Sequence, residues 1–252
     1  MKIKHVGLIT TTLVIIVGFA ITSPLFSSHN ETVAKQRVML SFSISENNDV
    51  TTWCQSLASI LNKNNIGASI FLVGKLAEQY PQVVSYFGDK VDMGSQTYSN
   101  LDLNEISDYS VKLQEVKDGK SAVDNAGNID TRIFRAPFGA TDQDIYSLLS
   151  RSGILVDFSY EEQFNIYRYG QFVKYDATTY DVRDYPPEFF SQLPETGKPA
   201  IIFIDNSYPI SGIADLISTL ERQGLELVNA SELTGLSLSS YGGQLFTHDN
   251  TN

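Results

Sequence analysis

Histidine and cysteine, from which most metal centres and nucleophilic sites are built, are nearly absent from this sequence. The 252 residues contain three histidines, His5, His29 and His248, and a single cysteine, Cys54. No histidine lies between residues 30 and 247. That region therefore cannot build a His-ligated zinc centre, a Ser-His-Asp triad or a Cys-His pair from its own side chains. A single cysteine also excludes an internal disulfide, so the fold must depend on packing.

Positive charge is also scarce, with 18 Lys and Arg residues against 29 Asp and Glu residues and a net charge of −11. Nucleic acids and anionic lipid surfaces attract basic faces, so the composition disfavours both as partners. No glycine-rich dinucleotide turn and no phosphate-loop lysine motif follows a candidate strand. Nucleotide binding is therefore not supported.

The N-terminus contains one long apolar run. Lys2 and Lys4 precede the uncharged stretch from Val6 to Phe26, which is about as long as a bilayer-spanning helix. The two lysines predict that the N-terminus stays inside the cell. We therefore predict a signal anchor over residues 1–27 and a single-pass cell-membrane protein with an extracytoplasmic domain, secreted if the segment is cleaved.

After a polar tether at 28–36, strand-like apolar runs alternate with amphipathic helical stretches. The candidate strands are 38–42, 68–73, 90–95, 132–135, 154–158, 200–204 and 225–228. About seven strand–helix units in a chain of this length predict a parallel α/β barrel over 37–236. An irregular segment interrupts it at 159–199, and a polar tail follows at 237–252. Functional residues of such barrels lie at the carboxyl ends of the strands.

The residues at these strand ends resemble motifs of the polysaccharide deacetylase (NodB-homology) family. Phe134-Arg-Ala-Pro-Phe-Gly139 is similar to its Arg-x-Pro-Tyr/Phe-Gly motif, and Asp92-Met-Gly-Ser-Gln-Thr-Tyr-Ser-Asn-Leu-Asp102 to its Gly-Ser-His-Thr-x-x-His motif. The segments 68–81, 201–205 and 225–233 resemble its second strand and helix, its terminal strand and its Ser-Glu-Leu signature. The resemblance covers residues 36 to 233 and implies a distorted (β/α)7 barrel.

The resemblance also implies a chemistry that this sequence does not preserve. Family members remove acetyl groups from N-acetylated sugars with a metal, often zinc, held by one aspartate and two histidines. A second aspartate acts as base and a distant histidine as acid. Here Ser43 replaces the base, Ile44 the metal carboxylate, Gln96 and Asn100 the two histidines, and Ile204 the late histidine. The resemblance thus predicts a degenerate centre without zinc or another cofactor.

We predict that the remaining polar and aromatic groups form a sugar-binding cavity. The predicted substrate-binding residues are Ser43, Gln96, Asn100, Arg135, Pro137, Phe138 and Asp205. Arg135 and Asp205 are also the candidate catalytic residues. A helical turn would place Gln96 and Asn100, four residues apart, on one face. Carboxamides and arginine–carboxylate pairs suit sugar hydroxyl and acetamido groups, and the alternative is that these groups only satisfy one another.

Three functions remain open from the sequence. The first is an inactive domain that binds an envelope glycan or N-acetylated sugar polymer. The second is a divergent hydrolase of a carbohydrate amide or ester, with Asp205, Asp157 or Glu161 as base and Arg135 as the oxyanion contact. The third is a structural envelope module that docks proteins. Aromatic residues of 158–190 are either sugar platforms or core packing.

Overall fold

The structure, a computed structural model, describes residues 36–46, 49–140, 143–160 and 162–241. The predicted signal anchor at 1–27 and nearly all of the predicted tether lie outside these residues. Within the described ranges, no helix combines the length and the apolar character needed to cross a membrane.

Helices and strands alternate along most of the described chain. The α-helices are α1 (Val50–Asn64), α2 (Gly74–Gln79), α3 (Gln82–Ser85), α4 (Tyr109–Gly127), α5 (Gln143–Arg151), α6 (Ile210–Arg222) and α7 (Ala230–Thr234). The strands are β1 (Arg37–Ile44), β2 (Ala68–Leu72), β3 (Val91–Ser95), β4 (Ile129–Thr131), β5 (Ile133–Phe134), β6 (Val156–Asp157), β7 (Gln163–Arg168), β8 (Gln171–Asp176), β9 (Thr178–Asp181), β10 (Ala200–Asp205), β11 (Glu226–Leu227) and β12 (Ser239–Tyr241). Short 3-10 helices cover Pro137–Gly139 and Pro187–Gln192.

The central sheet confirms a mixed α/β, nearly closed barrel. Its parallel strands follow the order β9-β10-β1-β2-β3-β5-β6, and β7 and β8 continue it as an antiparallel hairpin. Consecutive parallel strands need crossover connections, and the helices provide them. The carboxyl ends of these strands therefore meet at one end of the barrel.

Strand alternation sorts the side chains into two layers. In β1, Val38, Leu40, Phe42 and Ile44 belong to the core cluster that includes the buried faces of α1 and α6. The side chain between the first two, Met39, belongs to a second cluster that fills the barrel interior. The same parity directs the last inward side chain of each strand toward the mouth of the barrel.

The segment after β6 is more regular than the sequence analysis predicts. β7 and β8 form a hairpin whose two-residue turn consists of Tyr169 and Gly170, both with positive φ (54° and 84°), as such turns require. β9 follows directly and pairs with β10. The interpretation of 159–199 as irregular is therefore wrong for its first half.

The folded region also reaches beyond the predicted boundary at residue 236. Leu238 is fully buried, and its carbonyl accepts a hydrogen bond from the backbone N–H of Arg132 at 3.1 Å. Ser239–Tyr241 then pairs antiparallel with β4. The start of the predicted tail is thus part of the fold, and residues 242–252 lie outside the described chain.

Candidate functional site

A cavity of about 500 Å³ opens at the carboxyl ends of the parallel strands. All of the predicted site residues line it: Ser43, Gln96, Asn100, Arg135, Pro137, Phe138 and Asp205. The structure thus brings together side chains at the ends of β1 and β10 and directly after β3 and β5. Their roles in binding or catalysis stay predictions.

Ser43 and Gln96 meet across the end of β2. The hydroxyl of Ser43 donates a hydrogen bond to Oε1 of Gln96. Gln96 is only 2% exposed, and its Nε2 has no hydrogen-bond partner among the described residues. A buried donor without a partner costs about 1–3 kcal/mol. The amide of Gln96 is therefore only partly satisfied by hydrogen bonds within the described residues.

The chain between Gln96 and Asn100 does not form a helical turn. Thr97 and Asn100 have φ angles of 80° and 58°, and the left-handed region is unusual for a β-branched residue such as threonine. The backbone N–H of Gly74 donates to the carbonyl of Thr97 at 2.9 Å, and the carboxylate of Glu115 accepts from the N–H and hydroxyl of Ser99. This anchored loop, rather than a helix face, brings Asn100 to the cavity.

Arg135, directly after β5, places a buried guanidinium in the cavity wall. Its Nε donates to the carbonyl of Phe158 at 3.0 Å. Its guanidinium carbon lies 4.7 Å and 4.9 Å from the ring centroids of Phe71 and Phe203, a cation–π arrangement. Burial lowers the pKa of Arg135 to about 10, against the opposing effect of two nearby aspartates, so the group stays a cation at neutral pH. Its Nη1 has no hydrogen-bond partner in the described part of the chain.

Phe138 stands at the cavity mouth in a strained conformation. Its side chain is 78% exposed, and its backbone has φ 59° and ψ 15°. A non-glycine residue in the left-handed region carries a conformational cost, and such residues concentrate at functional sites. Pro137 before it and Gly139 after it shape this turn, which presents the ring to solvent and suits stacking on a sugar face.

Arg183 is the main cavity residue that the sequence analysis missed. It follows β9, and its guanidinium bridges two aspartates: Nη2 lies 2.5 Å from Oδ2 of Asp181, and Nη1 lies 2.8 Å from Oδ2 of Asp205. The other oxygen of Asp205 accepts from the backbone N–H of Ser207 at 2.8 Å. Hydrogen bonding to Asp181 raises the pKa of Arg183 above its ordinary value.

The sequence contained a local signal for the strands that position Arg183. Alternating apolar and polar residues on either side of Tyr169-Gly170 are typical of a hairpin with a two-residue turn. The Thr-Thr-Tyr run after it, with its high β propensity, is typical of a strand. That assignment would have placed Arg183 at a strand end beside β10.

The candidate base Asp157 does not reach the cavity, and neither does the carboxylate of Asp92. Asp157 is fully buried and accepts hydrogen bonds from the backbone and hydroxyl of Ser159, but it does not line the cavity. Asp92 accepts from the backbone N–H of Ser231 at 2.6 Å and is likewise absent from the cavity wall. Glu161 lies outside the described residues.

The aromatic residues of 158–190 divide between the two predicted roles. Tyr160 and Tyr185 line the cavity. Phe164, Tyr180 and Phe190 are buried core residues. Of these five residues, only Tyr160 and Tyr185 are placed where their rings could contact a sugar.

The sequence profile described as polysaccharide deacetylase matches residues 30–156 of this chain. The chain belongs to the polysaccharide deacetylase family. The resemblance drawn from the strand-end motifs is thus confirmed. No curated protein sequence matches this family member significantly.

Solved structures share the fold at low sequence identity. The peptidoglycan deacetylase PdaC from Bacillus subtilis has a TM-score of 0.60 and 18% identity, and the match covers 80% of this chain and 91% of that chain. A family 4 carbohydrate esterase from Streptomyces lividans in complex with acetate has a TM-score of 0.57 and 19% identity, and the match covers 76% of this chain and 91% of that chain. A CE4 family pseudoenzyme from Bacillus anthracis has a TM-score of 0.62 and 16% identity, and the match covers 79% of this chain and 66% of that chain.

The residues at the deacetylase metal positions do not fit a zinc ion. Gln96 and Asn100 offer carboxamides, which are poor zinc ligands compared with imidazole. Ile44 is fully buried in the helix-facing core, as is Ile204 at the late histidine position. Among the described residues, no group of three His, Cys, Asp or Glu side chains could hold a metal ion.

The first prediction concerns Asp157. Burial raises its pKa from 3.8 to about 6, although hydrogen bonds from Ser159 and the charge of Arg135 oppose the shift. A carboxyl group with a raised folded-state pKa stabilises the fold below its unfolded pKa, and this contribution is lost as the pH rises through the folded pKa. The free energy of unfolding of Asp157→Asn, relative to wild type, should therefore rise by up to about 3 kcal/mol between pH 4 and pH 7.

Urea unfolding at both pH values measures this difference. Asp89→Asn, at an exposed position, serves as the matched control and should show little relative change. An Asp157→Asn variant whose relative stability stays constant from pH 4 to pH 7 would show that Asp157 is ionised throughout.

Proposed function

We propose that this polysaccharide deacetylase family domain binds an envelope glycan carrying N-acetylated sugars and does not hydrolyse it. One observation carries the proposal: two residues that line the cavity, Arg135 and Gln96, each have a buried donor, Nη1 and Nε2, that has no partner among the described residues. Native proteins rarely leave buried donors unpaired. A ligand with an acceptor oxygen would satisfy them.

An acetamido group is chemically suited to these two donors. Its carbonyl oxygen has two lone pairs and can accept from a carboxamide and a guanidinium together. A hydrogen bond to the charged arginine is the stronger of the two. Phe138 at the mouth and Tyr160 in the wall offer aromatic rings for the apolar face of a sugar.

The absence of hydrolysis follows from the side chains that take the catalytic positions. Ser43 uses its hydroxyl to bond Gln96, and Ile44 faces the core. The divergent hydrolase would need another base, but Asp205 is held by Arg183 and Ser207, and Asp157 does not line the cavity. A pseudoenzyme and a peptidoglycan deacetylase among the structural neighbours support both parts of the proposal.

Titration of the purified full-length protein with N-acetylglucosamine oligomers tests binding. We expect saturable binding without acetate release, and about tenfold weaker binding for Gln96→Ala because one buried hydrogen bond to the ligand is lost. Calorimetry measures the affinity, and an enzymatic acetate assay measures hydrolysis.

Gln79→Ala, an exposed glutamine of α2, is the matched control and should bind as wild type. Absence of binding to every envelope glycan tried at millimolar concentration would contradict the proposal. Acetate release above the protein-free blank would instead favour the divergent hydrolase.

We also propose that the domain acts without zinc or another metal. The purified protein should contain far less than one equivalent of zinc by elemental analysis, and added zinc should leave its melting temperature unchanged. Near one equivalent of firmly bound zinc would contradict this proposal.

The same argument predicts that an aspartate introduced at position 44, where the family has its metal carboxylate, would destabilise the fold. Because Ile44 is fully buried in the core, Ile44→Asp should lower the free energy of unfolding by more than about 3 kcal/mol, as an unpaired carboxylate would be buried there. Ile44→Val, the apolar control, should cost about 1 kcal/mol. Urea unfolding compares the two variants.

We propose that residues 1–27 anchor the protein in the cell membrane, with the domain on the extracytoplasmic side. The support is the uncharged run preceded by lysines. The full-length protein should remain with the membrane fraction and be digested by protease added to intact cells, whereas a variant lacking residues 1–27 should not reach the membrane. Recovery of the full-length protein in the cytosolic fraction would contradict the anchor.

A further inference from the structure

A second concave surface, the α2–α4 groove, lies away from the strand-end cavity and has a volume of about 490 Å³. Its apolar lining consists of Ala77, Pro81, Tyr98, Ala122 and Ala126. The last two are four residues apart on α4 and therefore lie on one face of that helix. Because alanine side chains are small, they leave room between the helices for a larger apolar side chain.

Two carboxylates, those of Glu78 and Asp118, also line the groove. The hydroxyl of Tyr98 donates to Oε2 of Glu78 at 2.5 Å, and Nε2 of Gln114 donates to Oδ1 of Asp118 at 2.7 Å. A carboxylate accepts several hydrogen bonds. The groove therefore combines an apolar lining with acceptors for an N–H donor.

The last described strand directs the chain toward this groove. β12 pairs antiparallel with β4, with Tyr241 opposite Ile129. Ile129 comes two residues after Gly127, the last residue of α4, and so lies about one helical turn beyond the groove residue Ala126. Because β12 runs opposite to β4, it leads the chain back toward the end of α4 at which the groove begins.

The chain that follows Tyr241 is long enough to enter the groove. It comprises eleven residues, of which Leu245 and Phe246 are the only large apolar ones. Gly242 and Gly243 come first, and glycine permits the sharp turns that a change of direction at the helix end requires. Five residues span up to about 17 Å when extended, which exceeds the length of two helical turns.

The spacing of this segment also matches the spacing of the groove. Side chains two residues apart in an extended segment lie on the same side, about 7 Å from each other, as Phe246 and His248 would. Ala122 and Asp118 are four residues apart on α4, which corresponds to about 6 Å. A phenyl ring beside Ala122 would therefore bring the imidazole close to Asp118.

We propose that residues 242–252 dock along the α2–α4 groove, with the ring of Phe246 against Ala122 and Ala126. The imidazole N–H of His248 donates to the carboxylate of Asp118 or Glu78. Removal of the phenyl ring and the groove alanines from water favours this contact. The inference concerns a second site and does not depend on the proposed glycan binding.

Thiol modification of an introduced cysteine tests this contact in the purified full-length protein. Ser121→Cys places a thiol at an exposed position of the groove, whereas the native Cys54 is buried. Phe246→Ala in that background should raise the modification rate about fivefold, because the apolar contact that covers the thiol is lost. Leu245→Ala is the matched control and should leave the rate nearly unchanged, since that side chain points away from the groove.

A disulfide cross-link provides a second measurement that does not remove Phe246. Asn125→Cys and Gln244→Cys in one chain should form an intramolecular disulfide under mild oxidation, because Asn125 lines the groove near its start and Gln244 lies on the same side as Phe246. Ser218→Cys, at an exposed position of α6 outside the groove, replaces Asn125→Cys in the control pair. That pair should not cross-link within the chain, and peptide mass spectrometry distinguishes the two.

Three results would overturn the inference. The first is an equal modification rate at position 121 with and without Phe246→Ala, and the second is the absence of a cross-link between positions 125 and 244. The third is a modification rate that falls as the protein concentration rises, because a second copy of the chain would then cover the groove. Glycan binding is unaffected by each of these results, since no residue that lines the groove also lines the strand-end cavity.

Discussion

A guanidinium buried between two phenyl rings organises the mouth of this barrel. Arg135 follows β5, donates to a carbonyl after β6 and lies against rings from β2 and β10, so one side chain contacts several strand ends. Burying a charge is costly unless its hydrogen bonds are made. The unpartnered Nη1 shows that the protein meets this cost only in part.

The isoleucine at the position that the family motif gives to the metal carboxylate is part of the core packing. Ile44 is the last outward-facing residue of β1 and packs with the helices, whereas Ser43 faces the cavity and bonds Gln96. A hydrophobic residue at this position stabilises the layer beneath the helices. An aspartate at this position would therefore oppose the packing of the fold as well as alter the site.

Most of the predicted site residues lie at strand ends, because the carboxyl ends of parallel strands meet at one end of a barrel. Ser43, Gln96, Arg135 and Asp205 were found from the alternation of strands and helices together with family motifs. The loop to Asn100 was misjudged because spacing alone suggested a helix. Its left-handed residues are held instead by contacts with α2 and α4, which no local pattern reveals.

By itself, the sequence determined the α/β alternation, the family, and the absence of histidine between residues 30 and 247, because these depend on local periodicity and residue identity. Tertiary structure alone decided that Arg183 joins Asp181 to Asp205 and that Asp157 does not line the cavity. Both outcomes depend on which strands become neighbours and on which face each side chain points to. These are long-range properties of the nearly closed sheet, and the energy of an ion pair between strand ends or of an unpaired buried donor is defined only once that sheet has formed.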